Sequence, residues 1–313
     1  MTHIESRTTT GGTALSRVGL LCGLLMLFPA TTIAASDLGR AGLIGPVREV
    51  VERLIHWEGR AATIVKRTLY DEEGHRLEVH EWVETNGTLI PESKRKELYQ
   101  YDLSGHLTTL ITFRADGSIS RTATYTYDEK GQKTGEIERD DKGREGVRST
   151  YSWDNRGNMK EMLWHMPDGH TRADVNTTTR YTWEYDSQDH VIETMSYRSD
   201  GALAEKTLNK YDDTGRLTEG IRFESNGSVR DRFMFHYDRS GRGVERLNYN
   251  AEGTLIYKAT DISEDDARGN WVKKTPSQWS YDESGKPERQ PSTEVITRTS
   301  SVRLNQKKPF MWS

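Results

Sequence analysis

The stretch Tyr125-Thr126-Tyr127-Asp128-Glu129-Lys130-Gly131 sets the pattern of this chain. Residues two apart in a strand face the same side, so Tyr125 and Tyr127 line one face of a sheet. The Asp128 carboxylate accepts hydrogen bonds from backbone N–H groups just downstream and starts a turn. Gly131 tolerates the positive φ that finishes it.

The pattern recurs on both sides. Upstream stand Tyr99/Tyr101-Asp102 with Gly105, and Tyr70-Asp71 with Gly74. Downstream stand Tyr151/Trp153-Asp154 with Gly157, Tyr211-Asp212 with Gly215, Phe235/Tyr237-Asp238 with Gly241, and Trp279/Tyr281-Asp282 with Gly285. Trp183/Tyr185-Asp186 keeps the strand but puts Asp189 where the glycine belongs. A second set of turns alternates with the first, at Asn86-Gly87, Asp116-Gly117, Lys142-Gly143, Asp168-Gly169, Asp200-Gly201, Asn226-Gly227 and Glu252-Gly253. The full period is 26 residues, as between Tyr101, Tyr127 and Trp153. Two strands and two turns per period predict an antiparallel meander of repeated hairpins. One hairpin is marginal alone, and stacking extends its ladder.

Tyr211-Asp212-Asp213-Thr214-Gly215-Arg216-Leu217, with its many relatives along the chain, resembles the RHS/YD repeat of bacterial cell-envelope and secreted proteins. Large members of that family wrap a hollow β-shell around a C-terminal toxin. This chain has fewer repeats and no toxin-like domain after them. The resemblance therefore implies repeat architecture and an exported setting, with a short stand-alone member as the expectation.

The predicted fold is all-β, an elongated meander of hairpins forming a single curved or twisted sheet with open edges. Residues 1–35 read as a signal peptide: Arg7 and Arg17 precede the apolar run Val18–Phe28, and small residues follow at Thr32, Ala34 and Ala35. Residues 36–60 read as an N-terminal cap strand, 61–286 as the hairpin array, and 287–313 as a closing strand with a frayed tail. Caps are expected because an open edge invites aggregation. Extra residues at 90–96 and 170–176 each read as a tolerated bulge or a loop extension. Cys22 is the single cysteine and lies in the apolar run, so cleavage leaves no disulfide or thiol chemistry. No membrane-spanning segment is expected after cleavage. The location is expected to be periplasm, cell surface or medium.

Composition narrows function. Only 33% of residues are hydrophobic, yet there are 14 Tyr, 8 Trp and 6 Phe, many in register. The net charge is −4, which disfavours nucleic-acid binding. No Gly-x-Ser-x-Gly, His-Glu-x-x-His, phosphate loop or dinucleotide fingerprint occurs. His75, His106 and His190 follow turns at spacings that match no compact metal site, and no cofactor or catalytic residue is expected. The best binding candidates are Trp153, Trp164 and Trp183, whose faces could stack on sugar rings. Trp153 and Trp183 fall in the structural aromatic slot, whereas Trp164 lies off it, between Met162 and Met166. The leading expectation is a non-enzymatic exported scaffold that binds an envelope polysaccharide or another exported protein. The alternatives are a partner or remnant of a polymorphic-toxin system and, last, a carbohydrate-active enzyme.

Overall fold

A computed structural model describes residues 47–56, 62–165, 178–282, 284–288 and 292–302, so the signal-peptide segment and residues 170–176 lie outside it. Its strands are β1 (Val47–His56), β2 (Ala62–Tyr70), β3 (Arg76–Thr85), β4 (Thr88–Tyr101), β5 (Leu107–Phe113) and β6 (Ile119–Tyr127). Next come β7 (Lys133–Asp140), β8 (Glu145–Trp153), β9 (Met159–His165), β10 (Thr178–Tyr185), β11 (Val191–Arg198) and β12 (Leu203–Tyr211). The last are β13 (Leu217–Glu224), β14 (Val229–Tyr237), β15 (Gly243–Asn250), β16 (Leu255–Asp265), β17 (Trp271–Ser280) and β18 (Ser292–Val302).

Each strand pairs antiparallel with the next, as the repeat requires. The expected open sheet, however, is wrong. β1 pairs with β2 on one side and with β18 on the other, so the eighteen strands form a closed barrel. The β1–β18 ladder runs from Val47↔Val302 to His56↔Glu294. The first and last strands are therefore staves of the wall, and neither caps an edge. Closure removes the unpaired N–H and C=O rows that would otherwise template aggregation. The count of repeats that was too small for a large shell is sufficient for a single ring.

Eighteen strands at ~4.8 Å spacing and ~40° tilt make a circumference of roughly 110 Å, about 35 Å across if circular. Side chains cannot fill such an interior. The core is correspondingly thin: the buried apolar cluster is Val47, Val50 and Tyr70, where the chain closes on itself.

The residues at 90–96 do not form a loop. They lengthen β4 to 14 residues, and the misfit is absorbed by a bulge opposite Glu81–Val83. The Ser93 hydroxyl takes over there, accepting from Val83 N–H at 2.8 Å and donating to the Ile90 carbonyl at 2.6 Å.

The last register also needs correction. The repeat predicts that Tyr281 ends a strand, as Tyr127 and Tyr237 do. Instead β17 stops at Ser280, and Tyr281 makes an isolated bridge with Pro287. The turn itself forms as expected. Asp282 Oδ1 accepts the N–H of Ser284 and of Lys286, each at 2.9 Å, and Gly285 holds φ 81°. Tyr281 still pairs six residues ahead, as Tyr127 does with Lys133, and its N–H continues the ladder to the Ile256 carbonyl at 3.0 Å. Beyond Pro287 the Glu288 N–H donates to the Ser280 carbonyl at 3.0 Å, and β18, from Ser292, meets β17 at Gln278.

Directly opposed residues share a face, which separates the two sides of the wall. One side holds the rows Val50–Thr68–Val79, Tyr125–Glu136–Ser149 and Gly220–Phe233. Val50, Thr68, Val79, Ala123, Ser149, Met162, Asp231 and Phe233, all on this side, are buried. A closed wall shields its concave side, so this is the inner face. Val65, opposite Trp82, is a buried exception on the outer side. Burial pushes the inner tyrosines above their ordinary pKa, Tyr99 to about 12 and Tyr125 and Tyr151 further still.

The outer face is different. At mid-strand it carries the ion pairs Glu219–Arg232 (3.0 Å), Glu193–Lys206 (2.5 Å), Glu245–Lys258 (2.6 Å), Glu78–Lys96 (3.3 Å) and Glu161–Arg180 (3.3 Å). These stand beside opposed apolar pairs such as Leu208–Ile221 and Met234–Leu247. A lipid-facing wall needs an apolar band about 25 Å tall, and a cation at its midplane costs about 2–4 kcal/mol. This outer face has no such band among the described residues and suits water.

Candidate functional site

The turns build the rim. At Asp128, Oδ1 accepts the N–H of Lys130 and of Gln132, each at 2.9 Å. Gly131 N–H donates to the Asp128 carbonyl at 3.0 Å, with Gly131 at φ 76°. This is a turn closed by a glycine bulge. Identical bonding recurs at Asp102, Asp154, Asp186, Asp212, Asp238 and Asp266, all at one end of the barrel. Such donors hold Asp102, Asp212 and Asp238 below the usual carboxylate range. The largest contribution comes from the His106 N–H at Asp102, the Thr214 hydroxyl at Asp212 and the Ser240 hydroxyl at Asp238.

The aromatic before each Asp has a second duty. The bulge leaves a backbone carbonyl of the preceding hairpin unpaired, and the ring reaches back to it. Tyr101 donates to Arg76, Tyr127 to Leu107, Tyr185 to Met159, Tyr211 to Val191 and Tyr237 to Leu217, at 2.7–2.9 Å. Trp153 Nε1–H makes the same bond to Lys133 at 2.8 Å. Trp153 is thus a tyrosine substitute in the wall.

A third layer was not read from the sequence. The residue four after each Asp clamps its turn to the next one. His75, His106 and His190 each bond their own Asp through Nδ1 at 3.0–3.1 Å. Each ring then stacks on the next repeat's tyrosine, Tyr101, Tyr127 or Tyr211, at 4.6–4.8 Å between centroids. Each also lies against the next turn's glycine. A Cβ on Gly105, Gly131 or Gly215 would sit 2.9, 2.6 or 2.6 Å from the histidine Nε2. Arg216 does the same work, bonding Asp212 at 2.7 Å and lying over Tyr237 at 5.1 Å.

This accounts for Asp189. Its neighbour in the clamp position is the shorter Asn158, which leaves room for a side chain. The Asp189 carboxylate accepts from Asn158 at 2.7 Å and pairs with Arg156 at 3.0 Å, while its backbone still holds φ 65°. The available signal was the hydrogen-bonding residue at every fourth position after Asp: His75, His106, Gln132, Asn158, His190, Arg216, Arg242 and Asn270.

Asp71, Glu73 and His75 place three potential metal ligands within 4.8 Å of one another. The Asp71–His75 pair repeats at Asp102–His106 and Asp186–His190, which makes it clamp geometry.

The inner wall carries the candidate site. Met162 opposes Tyr151 on one side and Tyr181 on the other, so β8, β9 and β10 present one continuous face. Trp164 lies edge-on to Tyr181 at 5.5 Å, and Tyr181 stacks on Trp183 at 6.1 Å and 18°. Two of the three tryptophans singled out by sequence are therefore joined through a tyrosine that was not, and Trp153 stands apart in its structural slot. Met166 lies outside the described residues. Beside the rings, Thr194 opposes Trp183 and Ser196 opposes Tyr181.

Elsewhere on the inner wall several charged and aromatic groups pair with one another. Lys133 lies 4.0 Å from the Tyr151 ring and bonds Glu136, which also accepts from Tyr151. Arg222 pairs with buried Asp231 at 2.7 Å. Burial lowers the pKa of Arg246, which lies 5.9 Å from both Phe233 and Phe235.

No family model and no curated protein matches the chain. Similar solved structures include a porin-like protein from Bacteroides uniformis, 11% identical, covering 82% of this chain and 96% of that one at a TM-score of 0.47. A porin-like protein from Bacteroides vulgatus is 12% identical over 82% of this chain and 98% of that one, at 0.33. The TcdB2-TccC3-Cdc42 structure is 14% identical over 70% of this chain and 15% of that one, at 0.24. Scores and identities this low carry no functional argument.

Proposed function

We propose that the chain is a non-enzymatic, exported hollow barrel of RHS/YD-type hairpins that binds an envelope or extracellular ligand against its inner wall. The observation that supports this is the division of the wall. The Trp164–Tyr181–Trp183 rings face inward, and the outer face carries ion pairs at mid-strand. A barrel dressed in this way stays in water, in the periplasm or outside the cell, and offers its aromatic strip on the concave side. Binding sites are concave and aromatic-lined with a few polar groups.

The test is retention of the purified protein on cell-wall sacculi and on envelope polysaccharides, with Trp164→Ala as control. Saturable retention weakened by that change supports the reading. Retention unaffected by it, or no retention on any glycan together with no captured exported protein from periplasmic extract, overturns it. Partition of the protein into detergent-free vesicles would overturn the aqueous placement.

A further inference from the structure

We infer that the Trp164–Tyr181–Trp183 strip on the inner wall, with Thr194, is a binding site for a neutral oligosaccharide. This rests on the lumenal-binding reading above and names its ligand class and place.

Three features combine. The first is the platform itself: three rings in series on adjacent strands, with Tyr181 and Trp183 only 18° from parallel. Flat aromatic faces suit the flat C–H faces of pyranose rings, and the interaction needs no charge.

The second is unused hydrogen-bonding capacity beside the platform. The Thr194 hydroxyl, directly across from Trp183, is buried and has no partner among the described residues. Buried polar groups are normally satisfied, so unpartnered ones beside an aromatic face point to a ligand that brings hydroxyls. Thr207 continues the row beyond Thr194.

The third is charge. The nearby cations are already engaged, Arg222 with Asp231 and Arg230 with Glu205. Arg180 lies on the other face, stacked over Tyr197 at 4.1 Å and paired with Glu161. An acidic glycan would find no ready counter-charge from these groups.

The site also lies on the weakest seam of the wall. Among the described residues β9 and β10 pair at three positions, Arg180↔Leu163, Tyr181↔Met162 and Thr182↔Glu161, whereas β10 and β11 pair at seven. A ligand stacked across Trp164 of β9 and Trp183 of β10 bridges that seam. Its binding should therefore slow amide exchange at β9 and β10 more than elsewhere in the barrel.

The experiment titrates the full-length exported protein with neutral hexasaccharides (α- and β-linked glucans and chitohexaose) and with an acidic polysaccharide. Affinity is read by calorimetry and the seam by hydrogen exchange. The expected result is saturable binding of a neutral oligosaccharide, with added protection concentrated in β9 and β10. Trp183→Ala should weaken it about tenfold or more, and Thr194→Val about three- to tenfold. Trp183→Phe, which keeps a ring and the fold, should fall between wild type and Trp183→Ala. Neutral-glycan binding that ignores both positions, with protection elsewhere on the inner wall, would overturn this site while leaving the lumenal reading standing. Salt-dependent preference for the acidic polysaccharide would overturn the ligand class. No binding to any glycan would overturn the inference, and capture of an exported protein would then be what keeps the lumenal reading.

Discussion

The two rims of this barrel are built from the same turn but not from the same contacts. At the Asp102–Asp128–Asp154 rim, most turns touch the next through a histidine, arginine or asparagine, and the glycines Gly105, Gly131 and Gly215 are crowded. At the opposite rim, Gly87, Gly117, Gly143, Gly201, Gly227 and Gly253 have nothing within 4 Å of where a Cβ would stand. Both sets need positive φ, with Gly117 at 84° and Gly131 at 76°. One rim is laddered through crowded glycines, whereas the other leaves its glycines open and links turns by surface pairs such as Arg114–Asp141 at 2.8 Å. Backbone conformation alone therefore does not explain the glycine in the repeat. At the laddered rim it also makes room for its neighbour.

This contrast can be broken, and the largest effect should come from the glycines. Gly117→Ala should cost about 1–2 kcal/mol, the penalty of a left-handed residue. Gly131→Ala adds a clash with His106 and should cost about 2–5 kcal/mol in all. Chemical denaturation of the two variants checks this, and equal losses would erase the distinction between the rims.

A double mutant sharpens the cause. If the extra cost at Gly131 is His106, then His106→Ala with Gly131→Ala should destabilise by about 1–3 kcal/mol less than the two single changes summed. Additivity would mean that the imidazole is not what fills the space.

The ring hydroxyls come next. Tyr127→Phe removes the bond to the Leu107 carbonyl and should cost about 1 kcal/mol. Tyr249→Phe, on the outer face near the other rim, should change stability by less than about 0.5 kcal/mol. Thermal unfolding of the pair reads the difference.

The smallest effect is in acid. Asp102, Asp154, Asp186, Asp212, Asp238 and Asp266 are all held below the ordinary carboxylate value in the folded chain. A folded value below the unfolded one contributes stability that is present above the unfolded pKa. It is lost as pH falls through the folded one. The denaturation midpoint should therefore drop between about pH 5 and pH 2, and Asp212→Asn should shallow that drop. An unchanged slope would show that the turn carboxylates do not set acid stability.

Much of this molecule was legible in advance because the deciding interactions are local. Aromatic-x-aromatic-Asp-x-x-Gly places a face, a turn and a positive φ within seven residues. Nearly every turn and strand boundary follows from it. The structural roles of Asp128 and Gly131 needed no tertiary information. Even at Tyr281, where β17 ends at Ser280, the Asp282 turn and the pairing six residues ahead form as in the other repeats. The tryptophans were harder. Trp153 and Trp183 occupy the same motif, yet one is consumed by a carbonyl of the preceding hairpin and the other joins a ring strip. Trp153 is the aromatic immediately before its Asp, whereas Trp183 is the first of its pair and Tyr185 makes the carbonyl bond there. Asp189 looked like a lapse in the repeat, and only Asn158, 31 residues earlier, explains it.

The hairpins, their order, the two-sided wall and the aromatic face could all be read from the residues, because they depend on periodicity and on contacts within one repeat. Closure of the wall could not. Pairing of β1 with β18 depends on the twist and coil accumulated over every repeat, which no single repeat encodes. Closure in turn made the aromatic face the inside of a barrel and set Trp164, Tyr181 and Trp183 around a shared lumen.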